Sequence, residues 1–342
     1  MDSRGFIEVS DRLETNAPAC RAGGFGEKVE DMKTKWTPDQ IVAQTDRTAV
    51  VTGADGGLGR VIARELARAG AGVVMASRDL TAASAAAAAV RAAAPSAIVA
   101  AARLDLADLG SVRAFSQEYL ATSDGLDLLI NNAGVMAVPH QRTADGFELQ
   151  LGVNHLGHFA LTGLLLPALR ERPGARVVTV SSLLHKLGRI RFDDLQGERR
   201  YGRWTAYNQS KLANLMFALE LDRRFKAARL PLISVAAHPG YSATPLWLKA
   251  TPWYMRTPLR LVNPLVAQSG ERGALPTLYA ATVPEVPGGS YVGPDGPGES
   301  RGYPRLVRPS RQALSRDAAA RLWRISEQLT GVTYDLPGEA SA

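Results

Sequence analysis

Short apolar runs alternate with longer stretches of helical period from Arg47 onward. TAVVTG (48–53) is Val-rich and ends in Gly, the pattern of a buried parallel strand. VIARELARAG (61–70) then spaces its apolar positions as a helix does and stops on Gly. GVVMAS (72–77) predicts the next strand. The Ala-rich stretch from Thr81 to Ala94 predicts the next helix, since Ala is the best helix former. The alternation continues with a strand over 97–104, a helix near Leu109 to Leu120 and a strand at LDLLINN (126–132). One long helix is expected from Phe147 to Leu169, then a strand at ARVVTVSS (175–182). Tyr207 to Phe225 reads as helix, LISVAAHPG (232–240) as strand and GSYVG (289–293) as a late short strand. An amphipathic helix from Arg316 to Leu329 closes the chain.

Strands separated by helices of ten or more residues imply right-handed βαβ units and a parallel sheet covered on both faces. The expected fold is therefore α/β, a doubly wound parallel sheet of the Rossmann kind in a single domain. Residues 1–31 mix charge, Gly and Pro without a hydrophobic period and read as a flexible tail. Met32 opens a segment that would serve equally as a protein start. The domain is expected over 32–300, with a variable region at 241–270. Residues 301–342 are read as a C-terminal extension carrying one helix.

Composition narrows the functional classes. Charged residues make up 21% of the chain, close to the globular norm. The formal net charge of +7 raises the question of a nucleic-acid partner. The densest basic cluster, Arg301, Arg305, Arg308 and Arg311, lacks interleaved aromatics and matches no nucleic-acid module, so none is expected. Cys20 is the one cysteine, which excludes an intramolecular disulfide and suits a reducing compartment. The N-terminus shows no secretory pattern. The longest strongly apolar run, Phe159 to Leu169, is 11 residues, well short of the roughly 20 needed to span a bilayer. The expectation is a cytoplasmic protein without a membrane anchor.

Candidate chemistry begins after the first strand, at Thr52-Gly53-Ala54-Asp55-Gly56-Gly57-Leu58-Gly59. A Gly-rich turn between strand and helix lets backbone approach a pyrophosphate at the helix N-terminus. Its spacing is ambiguous: Gly53, Gly57 and Gly59 fit TGxxxGxG, whereas Gly53, Gly56 and Gly59 fit TGxxGxxG. At the end of the second strand, an acid would hold the ribose 2′-OH of NAD, and Arg would accommodate the 2′-phosphate of NADP. Ser77-Arg78 stands there, and guanidinium matches phosphate geometry, so NADP is favoured over NAD. Asp79, turned inward, would restore NAD.

Four further motifs follow in order: Asp105-Leu106, Asn131-Asn132-Ala133-Gly134, Tyr207-Asn208-Gln209-Ser210-Lys211, and Pro239-Gly240 followed by Thr244. Together with the Gly loop, they resemble the short-chain dehydrogenase/reductase family over residues 48–244. The resemblance implies that Asp105 and Leu106 meet the adenine. Asn132, Ala133 and Gly134 would line the adenosine side, and Pro239, Gly240 and Thr244 would lie beside the nicotinamide. It makes Tyr207 the general acid/base, with Lys211 four residues on and on the same helix face. The Lys211 ammonium is expected to lower the Tyr207 pKa, and by resemblance Lys211 also binds the nicotinamide ribose. Ser182 would hydrogen-bond the developing oxyanion. Asn154, in GVNHLGHF, is similar to the family's Asn that holds a relay water. NNAG and PG select the TGxxxGxG spacing.

Ser182 and Tyr207 are 25 positions apart (207 minus 182), where many members of the family have about half that. The extra segment and VNHLGHF resemble the retinol dehydrogenase-like branch, and HPGYSAT is similar to actinobacterial members. The implied activity is NADP(H)-dependent interconversion of a small-molecule alcohol and carbonyl, on an apolar substrate. Leu184, Val135-Met136 and the 241–256 segment with Trp247, Trp253 and Tyr254 would line the pocket. Family helices often pair, so a homo-oligomer is compatible. Alternatives are a cofactor-binding sensor or scaffold without turnover, and a nucleotide-sugar epimerase or dehydratase. His155 and His158 lie at i, i+3 but have no nearby Cys or third ligand, so no metal is expected. His185 and His238 have no partner legible in the sequence.

Overall fold

The computed structural model describes residues 35–241 and 268–337. The tail at 1–31, Thr244 and the three aromatics Trp247, Trp253 and Tyr254 lie outside the described residues.

Strands β1 (Thr48–Thr52), β2 (Gly72–Ser77), β3 (Val99–Arg103) and β4 (Leu128–Asn131) alternate with helices α1 (Gly57–Arg68), α2 (Leu80–Ala93) and α3 (Leu109–Thr122). The chain continues through α4 (Leu149–Leu151), α5 (Gly157–Leu164), α6 (Leu166–Arg170), β5 (Arg176–Val180), α7 (Arg203–Ala227) and β6 (Ile233–Ala237). It finishes with α8 (Gly270–Thr282), β7 (Tyr291–Pro294), β8 (Pro304–Leu306) and α9 (Arg316–Thr330). The strand order is β3-β2-β1-β4-β5-β6-β7-β8, parallel except for β8, which pairs antiparallel with β7. This is the expected doubly wound sheet.

The sheet is buried on both faces. One face packs Ile62, Leu66, Met75, Ile130 and Leu278 beneath α1, α2 and α8. The other packs Leu129, Leu151, Phe159, Leu215 and Phe225 beneath α3, α5 and α7. The strand order reverses between β1 and β4, so the crevice outside the carboxyl ends of these strands is where such sheets bind ligands.

Three differences from the sequence expectation have physical causes. The single helix expected over Phe147–Leu169 is interrupted. A π-helical turn occupies Gly152–Leu156, and Leu165 (φ −89°, ψ 0°) breaks the helix two residues before Pro167. Proline has no N–H to donate, and its ring clashes with the preceding turn. Helix α8 was not expected, because Gly270, Gly273 and Pro276 mask its period. Tertiary burial of Ala274, Leu275 and Leu278 against the sheet stabilises it instead. Finally, β8 and α9 continue the same sheet and core: Trp323 is 2% exposed, with its ring 5.0 Å from Phe159 and 4.6 Å from Tyr334.

Candidate active site

The loop after β1 resolves the glycine spacing. Gly53 and Gly57 hold φ values of +64° and +54°, which favour glycine. A Cβ on Gly59 would stand 2.3 Å from the Gly53 carbonyl oxygen, so only glycine lets α1 start this close to the strand. Gly56 is extended (φ −163°) and faces open space, so nothing about its backbone demands glycine. The constrained set is Gly53, Gly57 and Gly59. No side chain caps α1, whose N-cap is Gly56, and nothing lies within 4 Å of a Cβ built on Gly56 or Gly57. This is a cradle of backbone N–H groups that a pyrophosphate could approach directly. Leu58 packs against the core behind it.

Thr52, at the end of β1, is a hub that sequence reasoning missed. Its hydroxyl oxygen accepts the Asn132 and Ala133 N–H groups, each at 2.9 Å, and lies 2.9 Å from His158 Nε2. Asn132 Nδ2 donates back to the Thr52 carbonyl at 2.8 Å. His158 Nδ1 faces the Asn154 carbonyl at 3.0 Å, so that nitrogen carries the proton and Nε2 accepts from Thr52. Burial pushes His158 down to about 4, and the ring is neutral. Its partner in the sequence pair, His155, turns away to Ser326 at 2.9 Å. Among the described residues, no cluster of three or more His, Cys, Asp or Glu could hold a metal.

At the end of β2, Ser77 donates to Asp55 Oδ1 at 2.9 Å. Asp79 caps α2, its Oδ1 accepting the Ala82 N–H at 3.0 Å. Arg78 between them is exposed and forms no ion pair with another described residue. Asp105 turns one carboxylate oxygen to the Ala107 N–H at 2.9 Å, while Leu106 is buried beneath it.

The remaining residues converge on α7. Tyr207 is 6% exposed, with the Ser182 side chain near enough to lower its pKa, and the Lys211 Nζ lies 6.0 Å from the Tyr207 ring centroid. Lys211 donates to the Val180 carbonyl at 3.0 Å, and Ser181 Oγ donates to the Lys211 carbonyl at 2.7 Å. Asn154, in the π-helical turn, has its amide fully engaged. Oδ1 accepts the Val135 N–H at 2.8 Å, and Nδ2 donates to the Val135 carbonyl and to Ser210 Oγ. Gly134 passes directly over it, a Cβ there falling 3.0 Å from Asn154 Oδ1 and 3.5 Å from Lys211 Nζ. Pro239 and Gly240 (φ +64°) leave β6 on the same side. Met136, Ala137 and Leu184 pack with Tyr207, and Trp204 stands edge-on to it at 6.3 Å.

Electrostatics differ from the sequence expectation in one respect. The Lys211 ammonium was expected to pull the phenol's pKa down. In the chain itself, burial dominates and pushes Tyr207 up to about 12, with the Ser182 side chain opposing it. Burial also lowers Lys211 to about 8. At neutral pH the site therefore presents a protonated phenol, a hydroxyl and an ammonium around one apolar mouth. That group can protonate a developing alkoxide while hydrogen-bonding it.

The extra segment before Tyr207 is ordered by its own network. Tyr201 donates to the Val138 carbonyl at 2.9 Å, and Asp194 accepts the Arg199 and Arg200 N–H groups. Gln209 of α7 accepts the Arg191 N–H at 2.8 Å.

A family model described as short chain dehydrogenase matches residues 47–254. Mouse retinol dehydrogenase 12 is 40% identical over 295 residues, covering 84% of this chain and 88% of the relative. Mouse polyprenol dehydrogenase is 43% identical over 306 residues, 88% of each. A crystal structure of an uncharacterized protein from Mycobacterium paratuberculosis is 47% identical, covering 89% of this chain and 100% of that one, with a TM-score of 0.75.

Proposed function

The chain belongs to the short-chain dehydrogenase/reductase family, and from that premise we propose that it is an NADP(H)-dependent oxidoreductase interconverting an apolar alcohol and its carbonyl. NAD(P)-dependent oxidation and reduction of alcohols and carbonyls is the family's chemistry.

The observation that carries it is the grouping of Ser182, Tyr207 and Lys211 at the carboxyl ends of β5 and α7's first turns, beside the open glycine cradle. The dinucleotide's pyrophosphate would rest on the N–H groups around Gly57 and Gly59, and its nicotinamide would supply or take the hydride. Asp105 and Leu106 would flank the adenine, and Asn132, Ala133 and Gly134 the adenosine side. Pro239 and Gly240 would border the nicotinamide, as would Thr244. In the reducing direction, the carbonyl carbon gains the hydride and its oxygen becomes an alkoxide. Ser182 hydrogen-bonds that oxygen, and the Tyr207 phenol delivers the proton. Lys211 would hold the nicotinamide ribose and place positive charge near the phenolate that remains. Asn154 locks the π-helical turn to Val135 and Ser210, and in this reading also supports a water path to Lys211.

Arg78 and Asp79 support NADP over NAD. Asp79 is committed to capping α2, whereas the Arg78 guanidinium is exposed at the end of β2, where a 2′-phosphate would lie. The apolar substrate rests on Met136, Ala137 and Leu184 around Tyr207. The relatives named for retinol and polyprenol, both long apolar alcohols, point the same way. Among the described residues, no helix is long and apolar enough to cross a membrane.

The test is a fluorescence titration of NADPH and NADH against wild type and Arg78→Ala, followed by a panel of apolar carbonyls. NADPH should bind at least ~10-fold tighter, about 1.4 kcal/mol, and the substitution should erase the gap. Equal binding of both cofactors to wild type would remove Arg78 from the site. Binding of neither would remove the enzymatic reading.

A further inference from the structure

Two buried histidines outside the catalytic group find partners in the fold. His238 directly follows β6 and is fully buried, its ring 5.1 Å from that of Tyr291. A Cβ on Gly293 would stand 2.1 Å from His238 Nε2, so the neighbouring strand is glycine where the ring needs space. His238 Nδ1 accepts the Gly240 N–H at 3.2 Å and is therefore unprotonated. The ring proton sits on Nε2, which faces Glu299 Oε2 at 3.2 Å. The other Glu299 oxygen accepts the Lys186 ammonium at 2.9 Å.

His185 mirrors this arrangement. Its Nε2 accepts the Ser310 N–H at 3.3 Å, which leaves the proton on Nδ1, donated to the Ser182 carbonyl at 2.7 Å. Lys186 is the next residue. The Gly240 amide and the Ser182 carbonyl are thus each gripped by a histidine, and the two grips are joined through Lys186 and Glu299. Glu299 holds this position at φ +58°, a conformation that costs a non-glycine residue free energy.

We propose that His238 and Glu299, tied through Lys186 to the Ser182 segment, are positioning residues that fix the Pro239–Gly240 turn against the catalytic wall and so set the nicotinamide end of the cofactor site. The inference rests on the functional reading above and deepens it. No reacting atom touches either side chain. His238 orients Gly240, and Glu299 orients His238, as an outer carboxylate orients a ligating imidazole elsewhere. Misplacing this turn should spoil the geometry of hydride transfer while leaving the adenosine end of the site intact.

The experiment compares His238→Leu, His238→Asn, Glu299→Ala and Glu299→Gln. Asn keeps an acceptor for the Gly240 N–H, and Gln keeps an acceptor for His238 Nε2–H. The probes are NADPH and 2′-phospho-ADP-ribose, which lacks the nicotinamide, together with kcat and KM for the best carbonyl of the panel. His238→Leu and Glu299→Ala should lower kcat roughly tenfold or more and weaken NADPH several-fold, with 2′-phospho-ADP-ribose affinity and carbonyl KM within about twofold of wild type. His238→Asn and Glu299→Gln should recover most of the loss. Should His238→Leu fail to fold, the Glu299 pair, at the surface end of the network, carries the comparison. Parallel weakening of both probes, no rescue by Asn and Gln, or wild-type kinetics in the Leu and Ala variants each overturns the proposal. Wild type that fails to bind 2′-phospho-ADP-ribose overturns the functional reading itself, and this inference with it.

Discussion

The Lys211 ammonium donates to the Val180 carbonyl at 3.0 Å, fastening the face of α7 that carries Tyr207 to the last residue of β5. The bond satisfies one of three donors on a cation that burial has stripped of water, and its pKa falls to about 8. Below that value the charge is present, and as pH rises through it the charge is lost, along with its attraction for an anionic cofactor. With NADPH below saturation, kcat/KM for NADPH in carbonyl reduction should therefore fall above about pH 8, while Tyr207, near 12, stays protonated. Stability moves the other way. Between about 8 and the ordinary lysine value the unfolded chain binds more protons, so this group's burial cost is relieved as pH rises. A kcat/KM profile flat to about pH 9.5 would detach this titration from the reaction.

The glycine loop separates folding from binding. Gly56→Ala, facing open space in an extended backbone, should leave Tm near wild type yet weaken NADPH several-fold, because the methyl enters the cradle. Gly59→Ala drives a methyl against the Gly53 carbonyl and should destabilise the chain by several kcal/mol. Thermal melts and titrations on both variants check this. Unchanged NADPH affinity in Gly56→Ala would mean that the pyrophosphate lies elsewhere.

Arg78 and Asp79 should behave as opposites despite their adjacency. Arg78→Ala should abolish the preference for NADPH with little change in Tm. Asp79→Ala should cost about 1 kcal/mol through the lost α2 cap and leave the NADPH-to-NADH ratio unchanged. A swing toward NADPH in Asp79→Ala would instead assign the carboxylate to the ribose.

Tyr207→Phe retains the ring packing against Met136 and Leu184 and removes only the acid. We expect kcat to drop by about 10²–10⁴ with NADPH binding within roughly twofold. Turnover near wild type would move proton transfer to another group.

Trp323 belongs to the core although it lies near the end of the chain. It packs on Phe159, Phe217 and Tyr334, with the Arg224 guanidinium 4.3 Å from its ring centroid. Trp323→Ala should cost about 3–5 kcal/mol, read from denaturant unfolding. A loss below 1 kcal/mol would mark α9 as loosely attached.

Local pattern carried the sheet and most of its helices. A buried parallel strand is a short apolar run, and its covering helix repeats every three or four residues, so β1 through β6 and most of their covering helices are legible in the sequence, whereas the breaks in the β4–β5 crossover at Gly152–Leu156 and Leu165 are not. Tyr207 and Lys211 stand out in the sequence through their resemblance to the family's motif, and helical periodicity adds only that they share a face. Other features depend on contacts between residues remote in sequence. Helix α8 exists because the sheet buries its apolar side, against its own glycines and proline. The later motifs select Gly53, Gly57 and Gly59 by resemblance, but the physical reason each must be glycine lies in backbone angles and the distance to a facing carbonyl. Whether Asp79 faces a ribose or caps its helix is a rotamer, invisible in the order of residues. The direction of the Tyr207 shift depends on how completely the fold excludes water from the phenol, with only the Ser182 hydroxyl opposing it. His185 and His238 show the limit most plainly: their partners Ser310 and Glu299 lie 125 and 61 residues away, and only packing brings them within hydrogen-bond reach.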